Sequence, residues 1–582
     1  MQSTLLGAVM AIAIAGVSAC GGDDGDRGPA GPSGNDGADG ADGADGEDGA
    51  DGEDGEDGAD GASGSSFISL TRIGGYESLD AGGGRKFDVG AAEIVAFDPM
   101  TNRMFVVNAE DAVVEVLDLS DPTAPAKQAD IDVTGLGAVA KSVDVAAGVL
   151  AVAVEADPRT DPGTVAFYDT ADLSLIHQVA VGALPDMLAF TPDGQRVLVA
   201  NEGEPDDDYL VDPEGSVSVI DLSGGVRSAV VATAGFAALN GSEDALREQG
   251  IRIYGPGASA AQDLEPEYIA VSPDGTTAWA TLQENNAVAV IDVETATVTE
   301  VRPLGFKDHG IPGNELDASN RDSRLVPGDP AVAIRTWPVL GLYMPDGVAA
   351  YELEGETYYV TANEGDTRDY DGFSEEERVG DLILDPTAFP DAAALQEDAA
   401  LGRLTVTTAS GDVDQDGDYD LIVASGGRSF GIWDQQGHLV FDSGNDLEVK
   451  TALRFGLAFN SNNDDNESGD GRSDDKGPEP EGVALGTIRG RTYAFIGLER
   501  MGGIMVYDVT NPEQPTFVQY LNDRDLGVDP TEAGTGDYGP EGLHFVAADD
   551  SPIDQPLLLV GNEISGTTSI YRIAVIVPSV SL

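Results

Sequence analysis

The residues of this chain that could do chemistry are carboxylates placed at one fixed step of a repeated unit. Opening segments carry Glu93 (Ala92-Glu93-Ile94), Asp186 (Pro185-Asp186-Met187), Glu267 (Pro266-Glu267-Tyr268), Asp346 (Pro345-Asp346-Gly347), Glu481 (Pro480-Glu481-Gly482) and Glu541 (Pro540-Glu541-Gly542). A degenerate copy lies at Ser142-Val143-Asp144-Val145. A second segment closes on an acid, as at Asn201-Glu202, Asn363-Glu364 and Asn562-Glu563, with related ends at Glu155, Gln283-Glu284 and Glu499-Arg500. Carboxylates packed together either take up protons or bind cations. If the units converge, the expected chemistry is a calcium or other divalent-metal site. Glu93, Asp186, Glu267, Asp346, Glu481 and Glu541 would form it, with Glu202, Glu364 and Glu563 joining. The competing reading is that each repeated acid bonds to the backbone of the next unit.

Asp412-Val-Asp414-Gln-Asp416-Gly417-Asp418-Tyr-Asp420 is a second constellation. Acidic oxygens alternate and glycine stands sixth, which is the front of an EF-hand-type calcium loop. Val423 holds the twelfth position, where a bidentate Glu is usual, and Asp420 at the ninth is the substitute. The expectation is a structural calcium. Arg368, Arg428, Lys476 and Arg500 form a third group, bases beside acidic loops. A carboxylate-held metal flanked by bases suits phosphate-ester hydrolysis. The alternative is that these bases form salt bridges inside an acid-rich protein. His177, His309, His438 and His544 show no zinc spacing, and no Gly-x-Ser-x-Gly elbow is present.

The elements that must position these residues are short apolar strands. Third segments end at Asp118, Asp169, Asp221, Asp292, Asp434 and Asp508, with Arg572 in the last copy. Tandem units of alternating strands predict an all-β fold, a β-propeller with its opening strands lining a central channel. The tallies give seven blades. The interval from Asp346 to Asp434 is either one blade with a large insertion or parts of two, so eight is the alternative. The segment from Phe67 is expected to pair with the last strands, since an open ring leaves two edges. Thr191-Pro-Asp-Gly194 and Ser272-Pro-Asp-Gly275 read as hairpin turns.

Lys plus Arg number 30 against 105 Asp plus Glu, a net charge of −75. Such a surface repels nucleic acid and suits a salty or calcium-rich exterior. Residues 1–19 read as a signal peptide with an apolar Leu5–Ala15 core. Val17-Ser18-Ala19-Cys20 resembles the lipobox of bacterial lipoproteins, which implies a lipidated Cys20, a membrane anchor and, with Gly21-Gly22 rather than Asp following, the outer membrane if the cell is Gram-negative. Cys20 is the sole cysteine, so no disulfide supports the fold. Within 20–66, glycine recurs at every third residue from Gly25 to Gly64. That is the collagen period, but with two prolines and an acid in nearly every triplet. A flexible charged stalk is expected; the alternative is a trimerising stem. Residues 67–582 form the propeller domain.

The repeats resemble those of bacterial surface propellers, and the choice-of-anchor I family above all. The residues that carry the likeness include Glu93-Ile-Val-Ala-Phe-Asp98, Ala200-Asn-Glu-Gly-Glu-Pro205, Asp263-Leu-Glu-Pro-Glu-Tyr268, Gly305-Phe-Lys-Asp-His309 and Asp474-Asp-Lys-Gly-Pro-Glu-Pro-Glu-Gly-Val-Ala484. The resemblance runs from about Gly83 to Ile573 and implies a surface protein. Some relatives bear names implying alkaline phosphatase. Two functions are carried forward: a lipid-anchored, calcium-binding surface module for an unidentified ligand or protein, and a metal-dependent phosphoesterase centred on the channel mouth.

Overall fold

In the computed structural model, which describes residues 68–576 apart from 324 and 327, the repeated unit is a four-stranded antiparallel sheet. The first sheet runs Val95–Asp98, Arg103–Asn108, Val113–Asp118 and Ala126–Asp132. The later ones open with Ala140–Ala146, Pro185–Phe190, Ile269–Val271, Val348–Leu353, Pro480–Ile488 and Pro540–Val546. Among the described residues there are seven such sheets. Their opening strands touch in cyclic order, and Pro540–Val546 returns to Val95–Asp98. The sheets therefore stand around an axis, the arrangement of a β-propeller.

Alternation explains why the strands read as nearly continuous apolar runs. Successive residues of a strand face opposite sides, and here both sides are covered by a neighbouring sheet. Along Arg196–Asn201, Leu198 and Ala200 pack with Ile269, Ala278 and Ala280 of the fourth sheet. Val197 and Val199 pack the other way, on Ala151, Ala153 and Val165 of the second. Each fully buried Val or Leu contributes roughly 1.5–3 kcal/mol. The same two-sided packing recurs at every junction, including that between the seventh sheet and the first. The two anticipated turns form, with Gly194 N–H donating to Thr191 O at 2.8 Å and Gly275 N–H to Ser272 O at 2.8 Å. Both glycines have positive φ, +67° and +72°, which other residues adopt only with strain.

Ile68–Glu77 pairs antiparallel with Thr567–Val575 and becomes the outermost strand of the last sheet. The N-terminal strand thus ties the two ends of the domain together. The interval from Asp346 to Asp434 supplies three strands of one four-stranded sheet, Val348–Leu353, Glu356–Asn363 and Ser429–Asp434, which Leu439–Asp442 completes. Residues 364–428 are an insertion with its own apolar centre, in which Val379, Leu401, Leu404, Val406 and Ile422 pack on Leu316 and Val339. Within it Glu376–Arg378 pairs with Thr405–Thr407, and Val423–Ala424 lies parallel to Leu340–Leu342. The signal segment, Cys20 and the Gly-X-Y run lie outside the described residues. Among the described residues no helix is long and apolar enough to cross a membrane.

Candidate metal centre in the channel

A β-bulge sets three of the acids, Asp186, Glu481 and Glu541. In the third, sixth and seventh sheets the register slips immediately after the opening proline, between Pro185 and Leu188, Pro480 and Val483, and Pro540 and Leu543. Two residues then face one partner, which bends the strand and re-aims a side chain. Proline tolerates the position because it has no N–H to leave unpaired. The glycine after the acid has a separate cause. A Cβ on Gly347 would stand 2.4 Å from Glu481 O, on Gly482 2.1 Å from Glu541 O, and on Gly542 2.6 Å from Glu93 O. Each sheet's glycine therefore makes room for the backbone of the next sheet's acid. Where that contact is absent the residue carries a side chain, and Ile94, Met187 and Tyr268 wall the channel.

The acids converge. Glu93, Asp186, Asp346, Glu481, Glu541 and Glu563 line one cavity of about 160 Å³. Glu267, 8% exposed, is driven well above the usual carboxylate range by burial and then by Glu284, Asp346, Glu202 and Asp186. Burial is also the leading cause that lifts Glu93 to about 8, with Glu563, Asp186 and Glu155 adding and Lys141 opposing. Asp346, Glu481 and Glu541 are raised in the same way.

The second sheet breaks the pattern. Its opening strand bulges between Ala140 and Ser142, and the acid's place is taken by Lys141. The Lys141 ammonium lies 3.4 Å from Asp186 in the same cavity. Asp186, ahead of burial, dominates its environment and holds it protonated. The signal was present in sequence: Ala140-Lys141-Ser142-Val143 aligns with Pro185-Asp186-Met187-Leu188, but a search for acids passes over a lysine. Asp144, the acid of the degenerate copy, instead accepts the Phe190 N–H of the third sheet at 2.8 Å. There, bonding to the next unit's backbone is what occurs.

Second-strand ends add another tier. The asparagines are used inside their sheets: Asn201 donates to Ser216 and Ser218, Asn363 to Ser429 and Asn562 to Thr567. The following Glu202, Glu364 and Glu563 are all raised by burial first. Glu284 and Glu499, at the same step of the fourth and sixth sheets, are raised likewise, Glu284 to about 8. Five of these acids keep a buried oxygen with no hydrogen-bond partner: Oε2 of Glu267, Glu284, Glu481, Glu499 and Glu541.

The four bases separate. Arg368 is fully buried, with Nη1 2.5 Å from Asp263 and Nη2 2.6 Å from Glu265. Arg428 binds Glu448 at 2.6 Å and the carbonyls of Asp317 and Ser473. Both guanidinium charges are consumed in internal pairs, and neither residue lines the acidic cavity. Lys476 and Arg500 do reach channel acids: Lys476 stands 3.9 Å from Glu364, and Arg500 binds Glu499 at 2.7 Å.

In the acidic loop, Asp412, Asp414 and Asp420 bring carboxylate oxygens within 4.8 Å of one another. Gly417 makes the sharp turn at φ +98°. Asp418 instead groups with Asp420 and with Asp385 from an earlier stretch of the insertion. Asp416 belongs to neither group; its Oδ1 accepts the Asp418 N–H at 3.2 Å. Asp385 had no signal in the motif, because the fold brings it there through the Leu384–Tyr419 bridge. His544 is an opening-strand residue whose burial holds it neutral, near 4.

Several known proteins are similar to this chain. The oyster Magallana gigas protein Gigasin-3a is 30% identical over 191 residues, 31% of this chain and 67% of that protein. A mesenchyme-specific cell surface glycoprotein of Strongylocentrotus purpuratus is 25% identical over 283 residues, 43% of this chain but only 35% of its own length. Among solved structures, Kuenenia stuttgartiensis hydrazine synthase superposes with a TM-score of 0.44 at 14% identity, covering 86% of this chain and 100% of that one. The Cps50 (Swd1) β-propeller domain of Myceliophteria thermophila gives 0.40 at 10% identity, covering 86% and 99%. The choice-of-anchor I domain matches residues 93–512, most of the propeller and all but one of the channel's opening acids, and the chain belongs to that family.

Proposed function

We propose that this protein is a cell-surface, seven-bladed propeller module that binds a divalent cation, calcium by preference, on its channel carboxylates and offers its insertion loops to a ligand. The observation that carries this reading is the set of buried carboxylate oxygens without partners, on Glu267, Glu284, Glu481, Glu499 and Glu541. An unpaired buried carboxylate is costly and must be protonated or compensated. An all-oxygen donor set suits a hard divalent ion. Asp412, Asp414 and Asp420 would hold a separate structural calcium. Membership of the choice-of-anchor I family and the name of the Strongylocentrotus purpuratus relative, a cell surface glycoprotein, support a surface location. A lipid on Cys20 and the acidic Gly-X-Y run as a spacer would place the domain there.

Calorimetric titration of the chelator-treated chain with calcium tests the metal reading. Binding together with a rise in Tm is expected; no heat and no thermal shift would reject it. Lys476 and Arg500 beside Glu364 and Glu499 favour a second reading, a metal-dependent phosphoesterase, because such bases would stabilise a phosphoryl transition state beside a metal. Its sign is hydrolysis of a phosphomonoester or diester that stops on chelation. Absence of turnover with every divalent ion would discard it.

A further inference from the structure

We propose that the channel's cation site is off the axis, between the fifth and sixth sheets, on the cluster Glu364, Glu479 and Glu499. The proposal rests on reading the channel as a metal site and adds where the ion sits. The carboxylate oxygens of these three residues lie within 4.8 Å of one another. All three side chains are buried, Glu499 at 7% exposure and Glu479 at 0%. Among the described residues no three carboxylates of the axial cavity come together in this way.

Glu499 points to a missing partner. Its Oε1 is taken by the Asn463 amide at 2.9 Å and by Arg500 at 2.7 Å, while Oε2 is buried with no hydrogen bond at all. On Glu364 the Gln283 amide holds Oε2 at 2.9 Å, and Oε1 has only Lys476, at 3.9 Å. Amides that grip one oxygen and leave the other open are the outer partners that orient metal-binding carboxylates. Glu479 forms the back of the site. Burial alone would raise it, but Lys476, Arg500 and Arg472 hold it ionised, near 2. Glu479 Oε1 accepts from Arg472 at 2.7 Å and Oε2 from Arg500 at 2.8 Å, while Lys476 also pairs with Asp366 at 3.0 Å and Arg472 with Asp475 at 2.8 Å, so the acids still outnumber the bases. A hard divalent ion, of the calcium or manganese class, matches three carboxylates with no nitrogen or sulfur donor.

The position has a consequence. Glu364 opens the insertion of the fifth sheet, and Glu479 immediately precedes the opening strand of the sixth, Pro480–Ile488. An ion there joins two sheets and the roots of two long loops.

The test is manganese soaked into crystals of the chelator-treated full chain, with an anomalous difference map at the manganese edge. A peak bounded by Glu364 and Glu499 is the expected result. A channel peak confined to the axis, between Glu93 and Glu541, would overturn this placement and leave the channel a metal site. No channel peak would overturn both. In solution, Glu499→Gln should weaken channel manganese binding at least about tenfold. Unchanged affinity in this variant would also overturn the placement.

Discussion

Glu93 shows how position changes what a carboxyl group does. Buried among Glu563, Asp186 and Glu155, it is lifted from 4.5 to about 8, and Glu284 is lifted equally far. Between those values the folded protein binds protons that the unfolded chain has released. Stability therefore falls as pH rises through the window from about 4.5 to 8. For the chelated protein the Tm at pH 5.5 should exceed that at pH 7.5, and saturating calcium should reverse or flatten the difference by replacing the protons. A Tm that rises over this range without metal would show that the channel acids are not the dominant titrating groups. The repeated acids were legible in the sequence because their spacing is regular. Lys141 was less so, since its role depends on standing beside Asp186.

At the scale of elements, bulge and loop make separate predictions. Gly482→Ala places a Cβ 2.1 Å from Glu541 O, and only backbone movement can relieve it. A loss of about 1–3 kcal/mol is expected, read as a lower denaturation midpoint. In the 412–420 loop the motif alone treats Asp414 and Asp416 alike. The fold does not: Asp414 joins Asp412 and Asp420, whereas Asp416 is outside both acidic groups. Asp414→Asn should remove one bound calcium in a terbium-competition titration, and Asp416→Asn should leave it. Equal loss from both would favour the motif over the geometry. Pro-Asp/Glu-Gly was readable as a repeat, but the reason for its glycine was not, because the atom it accommodates belongs to another sheet.

For the whole molecule, closure is the vulnerable feature. Ile68 and Leu70 are buried against the sixth and seventh sheets, and Ile68–Glu77 covers the edge of Thr567–Val575. Deleting 68–77 should lower Tm and cause concentration-dependent association, seen by sedimentation, because an uncovered edge templates pairing between chains. An unchanged Tm and a monomer would show that the ring closes without this strand.

Strand alternation, turn chemistry and the period of the repeat are local properties, so the sequence by itself determined the propeller class, the closing strand and the step at which each acid falls. The net charge of −75 likewise needed no structure. Tertiary structure alone decided which charges meet. Arg368 and Arg428 looked available beside acidic loops, yet folding buries them on Asp263, Glu265 and Glu448. Asp385 reaches the acidic 412–420 loop, and Glu479 reaches Glu364 and Glu499, across stretches of chain that carry no signal linking them. Coulomb energy and desolvation depend on distance in space and on burial. Neither quantity is a property of a residue's place along the chain.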